Sequence, residues 1–198
     1  MKLFYSAASP FVRKVMACAI ARDLDALIER VPTDPWSSPA DLLAANPLMK
    51  VPCLVTDDGL ALFDSPVICE YLDAQEGQFP LFPRAGGPRW LALRHQAMAD
   101  GIMDAAVARR QDGLRPAEPA RTAIMARHKT AIDQTLALLE ADPPHQALDI
   151  GSIAIGCALG YLDFRFGHEP WRPACPQLAA WYAAFAQHRC MVATAPPG

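Results

Sequence analysis

Ser9-Pro10 and Ser65-Pro66 each set a serine directly before a proline where a helix can begin. Serine is a good N-cap, and proline in the first helical turn loses nothing because its missing N–H has no partner there. A helix start presents free N–H groups and partial positive charge, which favours anions. Two such starts in one chain suit a ligand with two negative groups; the plainer reading is a pair of ordinary caps. Val51-Pro52 is a third feature. An X-Pro bond can be cis, and proline cannot open a strand with a ladder donor, which would turn the backbone of Val51 towards a ligand. The plainer alternative is a trans proline at a strand edge. Asp100 and Asp104 lie one helical turn apart, the spacing of an acid/base pair or of a solvated acidic face. Arg13, one turn into the first helix, reads as solvated.

These residues need elements to hold them. KLFYS at 2–6 alternates like a short strand, and Val12, Val15, Met16, Ala19 and Ile20 form one stripe of a helix. A weaker strand signal covers 27–31 and a short helix signal 40–45. VPCLVT and LALF flank Asp57-Asp58-Gly59, a hairpin turn signal, and the stretch from Val67 to Leu72 reads as a helix. The order is β-α-β-α-β-β-α across residues 1–74. Residues 75–88, rich in Gly and Pro, read as a linker. Helical runs then cover 89–111, 120–141, 150–166 and 176–190. The expectation is an α/β domain followed by an all-α domain at 89–198.

Composition closes several alternatives. With 52% apolar and 20% charged residues the chain is globular in character, and a net charge of -3 gives no basic field for nucleic acid. No signal peptide or membrane span is read from the sequence, so the expected location is the cytoplasm. The six cysteines and five histidines show no metal-ligand spacing, so no metal is expected, and scattered cysteines read as buried thiols.

SPFVRKV after a first strand, NPLMKVPCLVTDDG, FDSPVICEYLD and IAIGCALGYLDFR, in that order, resemble the bacterial cytosolic glutathione S-transferases. The likeness touches both halves of the chain. It implies a thioredoxin-like N-terminal domain, an all-α C-terminal bundle, glutathione as co-substrate, a homodimer and a role in detoxification. Residue by residue, it implies that Ser9 addresses the glutathione sulfur, with Ser6 the competing choice. Val51, before a cis Pro52, would pair with the cysteinyl part. Asp64 would take the γ-glutamyl ammonium and Ser65 its carboxylate, while Lys50 reaches the glycyl end. Asp100 is the candidate to reach the ammonium in the other subunit. A second substrate is expected against the helix at 89–111, near Asp100, Met103, Asp104, Arg109 and Arg110.

Two departures from the family pattern stand out. Met49 occupies a position where glycine often precedes Lys-Val-Pro, and Ser152 stands where an aspartate usually completes the cap of the buried helix. A substitute cap with a weaker return bond is expected from Asp149. The implied reaction is attack of an activated glutathione thiol on a small electrophile. A glutathione-dependent reductase or peroxidase and a non-catalytic binding protein are the alternatives. Disulfide exchange through the enzyme would need a cysteine where Ser9 stands.

Overall fold

The computed structural model describes residues 1–75, 80–116 and 118–197. The first part follows the expected order: β1 (Lys2–Tyr5), α1 (Pro10–Ala21), β2 (Glu29–Pro32), α2 (Ala40–Ala45), β3 (Cys53–Val55), β4 (Ala61–Leu62) and α3 (Ser65–Asp73). The sheet order is β2-β1-β3-β4; β1 and β2 are parallel, and the other pairings are antiparallel. This mixed sheet with its helices has the thioredoxin-like arrangement. The hairpin is looser than a two-residue turn. Thr56 and Leu60 close it, Gly59 sits at φ +89°, and pairing resumes at Val55↔Ala61.

The second part is helical: α4 (Gly86–Asp112), α5 (Pro119–Ala141), α6 (Ile150–Arg165), α7 (Pro176–Phe185) and α8 (Arg189–Ala193). The expected linker differs at its end, because α4 begins at Gly86; Pro88 is accommodated in the first turn, where a missing N–H is harmless. Residues 76–79 of that expected linker lie outside the described residues. The last expected run divides into α7 and α8 after Phe185, where Ala186 closes the helix.

α6 is the central post, buried almost throughout and packed against α4 and α1. Its start shows how a departure from the family pattern is accommodated. The Asp149 carboxylate accepts from the Ser152 N–H at 2.7 Å, and the Ser152 hydroxyl accepts from the Asp149 N–H at 2.9 Å. Serine therefore completes a full capping box. The other departure is also absorbed: Met49 adopts φ +56°, the left-handed region that glycine favours.

The segment after α3 is pinned to the first part of the chain. The Asp73 carboxylate pairs with Arg22 at 3.3 Å and accepts from the Leu81 and Phe82 N–H groups at 2.7 and 3.0 Å. The Leu81 carbonyl in turn accepts from Ile150 N–H at 2.9 Å, at the head of α6.

Candidate functional site

Sheet register brings three of the candidate segments to one edge. β1 and β3 run antiparallel with Phe4 opposite Cys53, so the exit of β1 towards Ser9 and the approach to β3 at Val51 lie at the same end. β4 runs antiparallel to β3 with Leu62 opposite Leu54, so Phe63 and Asp64 emerge at that end too. Helices α1 and α3 both start there.

Ser9 is the N-cap of α1, and its hydroxyl accepts from the Val12 N–H at 3.3 Å. A hydroxyl keeps its own proton to donate while it accepts, so the cap leaves a donor free. Ser6 lies at the end of β1, and its carbonyl accepts from the Ser9 N–H at 3.0 Å. The Val51-Pro52 bond is cis, as the family likeness implied, and Phe63-Asp64 is cis as well. Neither the N–H nor the carbonyl of Val51 has a main-chain partner among the described residues.

Asp64 is the N-cap residue of α3, yet its side chain caps nothing. Beside it, Ser65 is 1% exposed and its hydroxyl has no hydrogen-bond partner among the described residues. A buried hydroxyl left unpaired costs about 1–3 kcal/mol, so this one invites a ligand.

The polar neighbourhood extends to α1 and α4. Lys14 is fully buried, and its Nζ meets Asp100 Oδ1 at 2.6 Å. Burial pushes the Asp100 carboxyl above the usual carboxylate range against the pull of Lys14, and Asp104 and Asp64 add to the rise. Burial likewise raises Asp104, with Lys50 opposing and Asp64 reinforcing. Asp64, Asp100 and Asp104 thus share one electrostatic neighbourhood with Lys14 and Lys50. Asp100 is engaged by a lysine of its own chain.

Met103 and Arg109, also expected on the helix at 89–111, do not gather beside Ser9. Met103 is fully buried in the core. Arg109 makes a bidentate pair with Glu169, both bonds 2.9 Å, and faces a separate cavity of about 370 Å³ between α5, α6 and the chain around Trp171. That larger cavity belongs wholly to the helical part, and of the candidate residues only Arg109 lines it. The cleft that does include Ser9 is small, about 10 Å³, and its lining includes Arg13, Cys157, Tyr161, Phe164 and Pro196. Tyr161, Phe164 and Pro196 were not picked out from the sequence, although Tyr161 and Phe164 are three residues apart at the end of the buried helix, the spacing of one helical face. Arg13 also departs from expectation: it is 7% exposed, enclosed by α6, α7 and α8 rather than solvated.

All six cysteines are free and buried. Burial pushes the Cys53 thiol up to about 11 and the Cys157 thiol to about 12, so neither is a nucleophile near neutral pH. Among the described residues no group of three or more His, Cys, Asp or Glu side chains is arranged to hold a metal, and no helix is long and apolar enough to cross a membrane.

A thioredoxin-like sheet with two helix starts at one edge, followed by a helical bundle around a buried post, is the architecture of one family. The sequence matches the profile for the glutathione S-transferase N-terminal domain over residues 8–75 and that for its C-terminal domain over residues 122–184. The chain belongs to the glutathione S-transferase family. It is 31% identical over 202 residues to the uncharacterized GST-like protein YibF of Escherichia coli K12, covering 100% of this chain and 99% of that protein. A glutathione transferase family member from Pseudomonas fluorescens Pf-5, crystallised with bound glutathione, superposes with a TM-score of 0.91 at 40% identity, covering 100% of this chain and 99% of that one. A second Pf-5 structure, with bound S-(propanoic acid)-glutathione, superposes at 0.87 with 40% identity and 100% of both chains covered.

Proposed function

We propose that this protein binds glutathione at the sheet edge and activates its thiol for attack on a small electrophilic carbon. The observation that carries the reading is Ser65, a fully buried hydroxyl without a partner in the first turn of α3. The γ-glutamyl carboxylate supplies that partner and meets the positive end of the helix. Asp64, free of capping duty, takes the ammonium, and the negative surroundings of Asp100 and Asp104 favour the same cation. Val51 offers its unpaired main-chain groups to the cysteinyl residue, and Lys50 reaches the glycyl carboxylate. Asp100 assists the ammonium through charge, while its direct ion pair is with Lys14.

Ser9 donates to the sulfur. The thiol proton leaves to solvent, and the thiolate pair forms the S–C bond. A leaving group departs with its electrons, or an activated alkene takes up a proton. Glutathione transferase activity is favoured over disulfide exchange because the enzyme's thiols are buried, and the two beside the site are pushed up to about 11 and 12. A thioether of glutathione bound in the Pf-5 relative supports the same choice.

The glutathione-binding domain spans residues 1–74, and the helical domain opens with α4 at Gly86. A second copy of the chain covers the exposed Val67 of α3 and Trp90 and Leu91 of α4, helices that the Arg89–Glu70 pair links at 3.1 Å. Reduced, buried cysteines fit the cytoplasm. Titration calorimetry tests the reading. Saturable binding of glutathione is expected, weakened about 10–100-fold in Asp64→Ala, the loss of one charged hydrogen bond. No saturation at millimolar glutathione would overturn the proposal.

A further inference from the structure

Lys14 is wholly shut off from solvent, a rare place for an ammonium group. It belongs to α1 of the first domain, and its Nζ donates to Asp100 Oδ1, on α4 of the second, at 2.6 Å. Lys14 is the one hydrogen-bond partner of the Asp100 carboxylate among the described residues. The pair is lopsided, with the lysine side chain 0% exposed and the aspartate 19%. One end is sealed in the core and the other reaches solvent. Cys18 on α1 and Cys157 on α6, which also feel the ammonium, are buried, uncharged thiols. Around Asp100 stand Asp104 on the same helix and Asp64 at the head of α3, and Lys50 acts on Asp104.

Such a pair contributes little to stability by itself. Taking an ammonium out of water offsets much of the attraction, and apolar residues of like volume often serve as well. What the pair does change is Asp100. A carboxyl half-withdrawn from water beside two others takes up a proton readily. A cation at 2.6 Å opposes that and fixes the direction of one oxygen.

We propose that Lys14 is a positioning residue of the glutathione site: by holding Asp100 Oδ1 it keeps that carboxylate charged and fixed, so that the site selects a ligand head bearing an ammonium. The inference rests on the glutathione reading above. Lys14 touches no ligand and exchanges no proton. It acts on the γ-glutamyl end through Asp100, across the junction of the two domains, while Asp64 acts from the sheet edge. Its own charge partly repels the ligand's ammonium, which gives the role a signature. Without Lys14, Asp100 should hold its proton to a pH about 1–3 units higher. Below that pH the attraction for the ammonium is lost. Above it the unshielded carboxylate attracts more strongly than in the parent.

Calorimetry on the intact protein with glutathione and with glutaryl-cysteinyl-glycine, which lacks only the ammonium, tests this. The ratio of the two affinities cancels everything the ligands share, the ionising thiol included. In the natural sequence glutathione should bind about tenfold or more tighter at about pH 7. In Lys14→Met that ratio should drop about threefold or more below the parent's at about pH 6, yet match or exceed it at about pH 8. A packing defect would weaken both ligands alike at both pH values. Should Lys14→Met fail to fold, Lys14→Met/Asp100→Asn leaves neither charge unpaired, and its ratio should be lowered at both pH values. Equal affinities in the natural sequence, a Lys14→Met ratio equal to the parent's at the lower pH, or a double variant with the parent's ratio overturns the proposal while glutathione binding stands. Failure to bind either ligand overturns both readings together.

Discussion

Replacing Ser9 by alanine separates two duties of one hydroxyl. As a cap, Ser9 accepts from Val12 at 3.3 Å, just past the usual N–H···O range. Its loss should therefore cost only about 0.5–1 kcal/mol of stability. As the proposed donor to the thiolate it would make a charge-assisted bond worth about 1.5–3 kcal/mol. Lowering a thiol pKa from about 8.5 to about 6.5 requires about 2.7 kcal/mol, so Ser9 supplies half or more and the helix start the rest. Ser9→Ala should raise the pKa of bound glutathione by about 1–2 units and lower the melting temperature by only a few degrees. Ultraviolet titration of the thiolate in the saturated complex reads the first, and thermal unfolding reads the second. Ser9→Thr, which keeps both functions, should restore the pKa. A variant complex titrating within about 0.3 units of the parent refutes the assignment, whatever its stability.

Three further outcomes follow from the geometry. Met49→Gly should raise stability by about 0.5–1 kcal/mol in denaturant unfolding, because φ +56° strains methionine and not glycine; unchanged stability would mean the left-handed turn is not there in solution. Gly160→Ala should destabilise by about 1–3 kcal/mol, since the new Cβ would lie 2.1 Å from Arg13 Nη1 and 2.6 Å from the Tyr182 hydroxyl; a neutral substitution would place the guanidinium elsewhere. Burial raises the Asp104 carboxyl, so the folded chain holds that proton more firmly than the unfolded one. This carboxyl's contribution is greatest below the ordinary carboxylate pKa and is lost as pH rises through its raised value. Asp104→Asn should therefore gain on the parent between about pH 4 and neutrality, and parallel stability curves would contradict the burial.

The parts of the fold that obey local rules could be read from the chain. Ser9-Pro10 and Ser65-Pro66 start α1 and α3 because caps and first-turn prolines act within a few residues. Gly86-Gly87-Pro88 misled because the same residue types serve both linkers and first turns, and only the rest of α4 decides between them. Arg13 and Lys14 were illegible for a different reason. Their partners, Met191 and Asp100, lie 178 and 86 residues away, and no local pattern announces a buried cation. The walls of the cleft share that fate, because Tyr161 and Phe164 acquire meaning only when α6 is laid beside α1.

Leu81 is gripped from both sides, its N–H by Asp73 below the sheet domain and its carbonyl by Ile150 at the head of the central post. Parting the two halves there would break hydrogen bonds on both sides of a single residue, a load that Leu81 shares with the Lys14–Asp100 and Arg189–Asp23 pairs, each 2.6 Å long.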